Sequence, residues 1–471
     1  MPTALRLLTC CFLICQAITA TALPVYGEQT GEKCASCHIS MGELTPRGRK
    51  FKLLGYSEGE KKTPFAAVGT ASVTQIKSTN SSAAPSVTMP SNGSFIPEMG
   101  SALVTGKFGE DVGGKIKWTA NLANTSPLYG SDGVQTGTKV GKDLFLDASE
   151  VRVVKRDNFG GVDAIYGVSV NNAPTQQDLW NTTPVNSFPY RSSSLLNAWG
   201  MGQFGPTTLV DGGLTSQTIG MSVHGLFDDK WYVDIGNYWK MASGYSVLSV
   251  AGPQNTINSN ANPYWRFART QVDGASSWMV GTFGMTTTLA RDPLVVGSAP
   301  GFYKDIGLDA QYQHITDSHT WSAQAVLIRE STDWGTNVGR SHDTSQTTLR
   351  TFKNKLSYDF ARTYAASVFH FHSWGSRDRY YWAYDRNPRV TTGACNQNNS
   401  MLAFCSQNGR PDTSGYGFEM SYSPLPQLTL TLQQTYYQTF LGGSQFIDNS
   451  SARVRAASDN NLTYLYGVYS Y

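Results

Sequence analysis

From Lys304 to His314 apolar and polar residues alternate without interruption. Ile306, Leu308, Ala310 and Tyr312 fall on one side; Asp305, Gly307, Asp309, Gln311 and Gln313 fall on the other. Successive side chains of a strand point to opposite faces, so this period predicts a strand with one apolar and one strongly polar face. Looser versions recur at 65–77, 115–124, 144–155, 162–171, 218–227, 230–240, 264–272, 278–289, 320–330, 347–360, 362–374, 416–423 and 427–440. With shorter stretches near 100–107, 195–201 and 460–471, the chain holds about 16 strands. Runs of Gly, Asn, Ser, Asp and Pro separate them and supply turns. A 3.6-residue period persists nowhere beyond the N-terminal region, where a short helix is expected around 45–54.

Strands with one polar face fit either a sandwich or a barrel. Three features favour a transmembrane antiparallel β-barrel. Aromatics gather at strand ends, as in Trp231-Tyr232, Tyr264-Trp265 and Tyr380-Tyr381-Trp382, in the manner of interfacial girdles. Strands of about ten residues alternate between short and long connections. Tyr464, Tyr466, Tyr469 and Tyr471 crowd the last strand. Composition agrees: of 471 residues only 15% are charged and 12% are aromatic, with 46 Gly and 24 Tyr. No later apolar run reaches the roughly 18 to 20 residues of a membrane helix. The net charge is +3, and no basic run resembles a nucleic-acid footprint.

The N-terminus changes the picture. Arg6 precedes an apolar run from Leu7 to Ile18, and Ala20-Thr21-Ala22 supplies small residues for cleavage. Residues 1–22 therefore read as a secretory signal peptide. Cys10, Cys11 and Cys15 leave with it, so Cys34, Cys37, Cys395 and Cys405 remain of the 7 cysteines. Cys34-Ala35-Ser36-Cys37-His38 is a Cys-x-x-Cys-His motif, which reads as attachment for one c-type haem. Two thiols at this spacing add across the two vinyl groups of a haem, and the following imidazole ligates the iron. The alternatives are a Cys34–Cys37 disulfide or half of a zinc site, and zinc lacks two further ligands nearby.

Other candidates follow from the motif. Met89 is the candidate for the distal face of the iron, where a thioether raises the potential; Met99 is a second choice, and Met41 is too close to His38. Arg47, Arg49, Lys50 and Lys52 are candidates for the haem propionates, or else a solvated basic edge. Cys395 and Cys405 flank an Asn-rich stretch and are expected to close a surface loop by a disulfide. His370 and His372 share a strand face and read as lumen lining or, less readily, a metal pair. Gly200–Gly205 matches a dinucleotide fingerprint only by letter, and Gly220–His224 narrowly misses a nucleophile elbow.

The stretch "CASCH" followed by "GELTPRGRKFKLLGY" resembles the opening of the outer-membrane porin–cytochrome c fusions of iron-oxidising bacteria. In that family the motif is followed by Glu-Leu-Thr-Pro-Phe-Gly-Arg and Phe-Lys-Leu-x-Gly-Tyr. Here Glu43-Leu44-Thr45-Pro46, Gly48-Arg49, Phe51-Lys52-Leu53 and Gly55-Tyr56 match, while Arg47 replaces the aromatic. "NNAPTQQDLWNTTP" (171–184) also looks like a family stretch. The resemblance implies a signal peptide at 1–22, a monohaem cytochrome c domain at 23–62 that plugs the lumen, and an outer-membrane barrel at 63–471. It implies Cys34 and Cys37 as thioether positions and His38 as proximal ligand. Val68 stands where relatives carry an early-strand methionine, so no distal ligand is implied. The implied activity is that of an oxidoreductase taking electrons from extracellular ferrous iron. A periplasmic cytochrome or copper protein would receive them. The rivals are a conduit of the same architecture with another donor or acceptor, and a substrate porin with an accessory haem.

A covalently held haem survives denaturation. Haem-peroxidase staining of the protein after a denaturing gel is expected to give a band, and Cys34→Ala with Cys37→Ala to remove it; an unstained wild-type band excludes the motif reading.

Overall fold

The computed structural model describes residues 24–40, 42–60, 64–77, 91–122, 126–129, 135–139, 143–183, 191–193, 195, 205–215, 217–241, 257–258, 261–289, 299–338, 342–383, 404–448 and 453–471. Sixteen antiparallel strands close into a barrel. In chain order they are β1 Phe65–Ile76, β2 Phe95–Lys107, β3 Val112–Asn121, β4 Asp143–Phe159, β5 Val162–Asn171 and β6 Thr218–Phe227. Then come β7 Trp231–Lys240, β8 Asn262–Asp273, β9 Ser276–Leu289, β10 Gly301–Ile315 and β11 His319–Asp333. Last are β12 Gln346–Phe360, β13 Tyr364–Gly375, β14 Thr413–Leu425, β15 Leu428–Thr439 and β16 Leu462–Ser470. Each strand pairs with its chain neighbour, and β1 closes the ring on β16 from Val68↔Ser470 to Ile76↔Leu462. The expected strand at 195–201 lies, apart from Leu195, outside the described residues. Leu195 lies in a buried cluster.

The two ends of the barrel differ. One carries tight turns such as 160–161, where Gly160 and Gly161 both take positive φ, and 228–230, where Asp228 and Asp229 do so. The other carries the long connections, of which 172–217 is the longest. Short periplasmic turns and long extracellular loops are the pattern of outer-membrane barrels. The tight-turn end, which also holds both ends of the strand ladder, is thus the periplasmic one.

Alternation sets the faces as β10 predicts. Ile306, Leu308 and Tyr312 are exposed on the outside, while Asp305, Asp309, Gln311 and Gln313 are buried inside. Around the ring the outer face presents Val168, Val170, Ile219, Val223, Ile235, Val280, Leu327, Val368, Met420, Leu432 and Leu465. A closed sheet leaves no unpaired edge in lipid, and this apolar exterior suits the bilayer. The chain is an outer-membrane β-barrel. Exposed aromatics near the tight-turn end include Trp231, Trp278, Trp321, Tyr364, Tyr422 and Tyr469. The girdle expectation needs one correction: Tyr232 and Tyr264 point inward, because each is one strand position from an outward neighbour, and Tyr464 and Tyr466 of the last strand point inward too. His370 and His372 also reverse their expected side. They alternate with buried Phe369, Phe371 and Ser373, so they face outward, with His372 stacked on Trp374 at 4.6 Å.

The lumen is packed with side chains. One buried cluster joins Phe369, Phe371, Tyr437, Phe440, Phe446 and Tyr464. A second joins Tyr238, Tyr264, Phe283, Tyr303 and Trp334 with Val210 and Leu214 of the inserted connection. Inward glycines make room for these rings: a Cβ at Gly307 would stand 2.3 Å from Phe283, and one at Gly415 would stand 2.5 Å from Phe371. Cys405 is buried and disulfide-bonded; its expected partner, Cys395, lies outside the described residues.

Gly307→Ala forces Phe283 aside and is expected to cost about 1–3 kcal/mol, read as a lower urea midpoint. Gly69→Ala, whose Cβ meets nothing within 4 Å, is expected to leave the midpoint unchanged.

Candidate functional site

Three short helices precede the barrel: α1 Pro24–Thr30, α2 Cys34–Cys37 and α3 Pro46–Leu53. The Cys-x-x-Cys spacing forms the single turn of α2, closed by the His38 N–H donating to Cys34 O at 2.9 Å. Neither Cys34 nor Cys37 is in a disulfide. The residues after the motif explain themselves locally. Thr45 caps α3, its hydroxyl accepting from the Gly48 N–H at 3.1 Å, and Pro46 fits the first turn, where no donor is needed. Gly48 lets α3 lie directly on α2, since a Cβ there would stand 2.1 Å from Cys37 O. Gly55 takes φ +63 and lies against Arg152, where a Cβ would come within 2.8 Å of its side chain.

This segment lies inside the tight-turn end of the barrel. Arg49 is buried and donates to Leu44 O at 3.1 Å and to Gln311 and Gln313 Oε1 at 2.8 Å each. No carboxylate meets it, and burial pushes its pKa down. Glu43 accepts from Ser357 at 3.0 Å, and Lys50 pairs with Asp229 on a periplasmic turn at 3.3 Å. Tyr56 donates to Glu150 at 2.7 Å, while Tyr26, Phe51 and Tyr56 form a ring cluster with centroids 5.2 to 5.6 Å apart. Arg47 bridges Glu32 and Glu58, with its guanidinium 5.9 Å over Phe51.

The inserted connection reaches down to meet the segment. Asp178 caps its own turn, accepting from Trp180 N–H at 3.0 Å and Thr183 N–H at 3.1 Å, and pairs with Arg266 at 3.2 Å. Burial alone would raise the Asp178 pKa; Arg266 and Lys52 outweigh it and hold the carboxyl below the usual range. Gln311 and Gln324 both donate to Trp180 O, at 3.3 and 3.2 Å. Asn181 donates to Gly42 O at 2.9 Å, and Lys52 donates to Asp178 O at 2.6 Å and Asn181 Oδ1 at 3.1 Å. Residues 171–183 are therefore a strap linking wall and N-terminal segment.

Between segment, wall and strap lies a cleft of about 210 Å³. Cys34, Cys37 and His38 line it, with Leu44, Phe51, Tyr26 and Tyr56 as apolar walls. Lys52, Lys115 from β3 and Asn181 from the strap complete it. Burial lowers the His38 pKa against a backbone hydrogen bond at Ser40, so the imidazole keeps a lone pair at neutral pH; its Nδ1 is buried without a partner. Burial, opposed by Arg47, pushes Cys37 up to about 11, so it is a thiol rather than a reactive thiolate. Among the described residues no three His, Cys, Asp or Glu side chains are set to hold a metal ion. Two thiols, an imidazole and apolar walls on one cleft fit a c-type haem.

The structure brings Cys34, Cys37 and His38 together as expected. Met89 lies outside the described residues, as does Met41; Met99 sits on β2 beside Arg191, at 3.5 Å. Of the four candidate basic residues, Arg47, Arg49 and Lys50 are engaged elsewhere, and Lys52 alone lines the cleft. Lys115 and Tyr26 carry no sequence signal; Asn181 falls within the quoted strap.

No family model matches the chain, and no curated protein matches it in sequence. Among solved structures it is similar to an anion-selective porin from Comamonas acidovorans at 10% identity, covering 86% of this chain and 98% of that one with a TM-score of 0.44. It is also similar to Pseudomonas putida OprB at 9% identity, covering 90% and 96% with a TM-score of 0.43. A loop-deletion mutant of OmpT from Vibrio cholerae aligns at 6% identity, covering 86% and 98% with a TM-score of 0.44. Anion selectivity belongs to the first of these proteins.

Arg49→Leu takes the donor from Gln311 Oε1, while Leu44 O keeps Gln313 Nε2 and Gln313 Oε1 keeps Ser277, at a cost of about 1–3 kcal/mol for the unsatisfied group. The expected result is protease cleavage within 24–60 while the barrel stays folded, as read by heat modifiability.

Proposed function

We propose that this chain is an outer-membrane c-type cytochrome that takes electrons from extracellular ferrous iron and passes them to a periplasmic carrier. The supporting observation is the cleft itself: a Cys-x-x-Cys-His turn held inside the periplasmic end of a barrel whose lumen is packed with side chains. On this reading residues 24–60 are a cytochrome plug, and the chain is a porin–cytochrome fusion. A haem held at Cys34, Cys37 and His38 supplies a one-electron iron centre.

The chain's own residues do the rest. Arg49, Glu43 and Lys50 fix the plug to the wall. The strap, through Asn181 and the Asp178 carbonyl, closes the cleft on its lumenal side. Tyr26, Phe51 and Leu44 keep water from the porphyrin faces. The exposed Lys33 and Ala35 flank Cys34 at the periplasmic side, where a soluble cytochrome or copper protein docks. Clusters such as Phe283–Tyr303–Trp334 and Phe371–Tyr437–Phe440 obstruct solute passage. Iron therefore stays outside and the electron alone crosses, which keeps insoluble ferric products out of the periplasm. A substrate porin, by contrast, needs an open, water-filled lumen.

The oxidised protein, purified from outer membranes and mixed with ferrous iron without oxygen, is expected to show the reduced c-type spectrum promptly. Intact haem that stays oxidised overturns the proposal. Liposomes carrying the protein are expected to swell no faster than empty ones.

A further inference from the structure

Lys115 stands out within the cleft. It lies on β3, level with Thr105 on one side and Glu150 on the other. Both carboxylates that face it are engaged. Glu150 accepts from Tyr56 at 2.7 Å, Gln176 at 3.0 Å and the Arg152 guanidinium at 2.9 Å. Asp147 takes Lys117 at 2.7 Å and Thr119 at 3.0 Å. Among the described residues the Lys115 ammonium makes no hydrogen bond or ion pair; Glu150, Asp147, Lys117 and Arg152 act on it only through their fields. The buried Lys52 ammonium opens on the same cleft. Lys52 is held by Asp178 O and Asn181 Oδ1. A partly buried ammonium without a partner is costly, so Lys115, with the charge of Lys52 on the same cavity, calls for an anion.

We propose that Lys115 of the barrel wall, with Lys52 of the plug, is the carboxylate-binding pair of the cleft and holds the propionate arms of the porphyrin. This rests on the haem reading above. It makes the cofactor site composite: the covalent attachment comes from residues 34–38, and the charge that balances the porphyrin comes partly from the membrane-spanning sheet. A cation near the ring opposes the extra positive charge of ferric iron, so Lys115 raises the potential of the centre. The wall thereby adjusts the plug for a high-potential donor.

The test uses the full-length haem-loaded protein in detergent, with Lys115→Met and Lys115→Arg followed by spectroelectrochemical titration. The Met variant is expected to keep its haem and its ligand-field spectrum while the one-electron equilibrium shifts about tenfold toward ferric, or about 59 mV. The Arg variant is expected to stay near wild type. Should the Met variant fail to assemble, Lys115→Gln carries the same expectation. An unmoved potential overturns the proposal, as does a change of iron spin state, which assigns the amine to the metal instead. A colourless wild-type protein overturns the haem reading itself, whereas a coloured one with an unmoved potential overturns only the role of Lys115.

Discussion

A strand within hydrocarbon has no water to satisfy an open edge, so the sheet must close on itself. The pairing of β1 with β16 achieves this and fixes everything else. Closure sends every second side chain outward to lipid and every other one inward. The inward set is rich in carboxylates, guanidinium groups, amides and phenols, none of which tolerates isolation. Sixteen strands enclose a space too wide for these side chains to meet across it. Water satisfies such groups in an open porin; in this barrel inserted chain meets many of them.

Two pieces of chain do so. The N-terminal segment brings Arg49 to the glutamines of β10 and Tyr56 to Glu150 of β4. The strap brings Asp178 to Arg266, and Lys353 meets Asp211 of the same connection. Each contact joins groups that are distant in sequence and buried together. Such pairs add little net stability compared with apolar residues, but losing one partner leaves a stranded charge. Their effect is to set one position for the inserted pieces rather than to strengthen the fold. The cleft inherits that fixed position, because its walls come from segment, sheet and strap together.

This arrangement separates covalent chemistry from tuning. The thiols and imidazole lie within five residues of sequence on one short turn, where local geometry alone brings them together. The groups that surround them come from β3 and from the strap, and they are present only once the barrel has closed. On the haem reading, the centre's attachment is a local property and its environment a global one.

The alternation along β10, the tight turns and the Cys-x-x-Cys-His spacing were legible in the sequence because each rests on local periodicity or spacing. So were the short helix around 45–54 and the division into an N-terminal segment and a barrel. The sequence could not place His370 and His372 on the outer face, since a period of two says that alternate residues differ but not which set faces lipid when both carry aromatics. For the same reason Tyr232 and Tyr264 read as girdle residues although they fill the lumen. Nor could it single out Lys115, an ordinary strand lysine until its neighbours are known, or show that Arg47, Arg49 and Lys50 are already engaged by Glu32, the β10 glutamines and Asp229. Which side chains face the cleft, and which of them find partners, depends on contacts across more than a hundred residues of chain. Only ring closure brings those residues together.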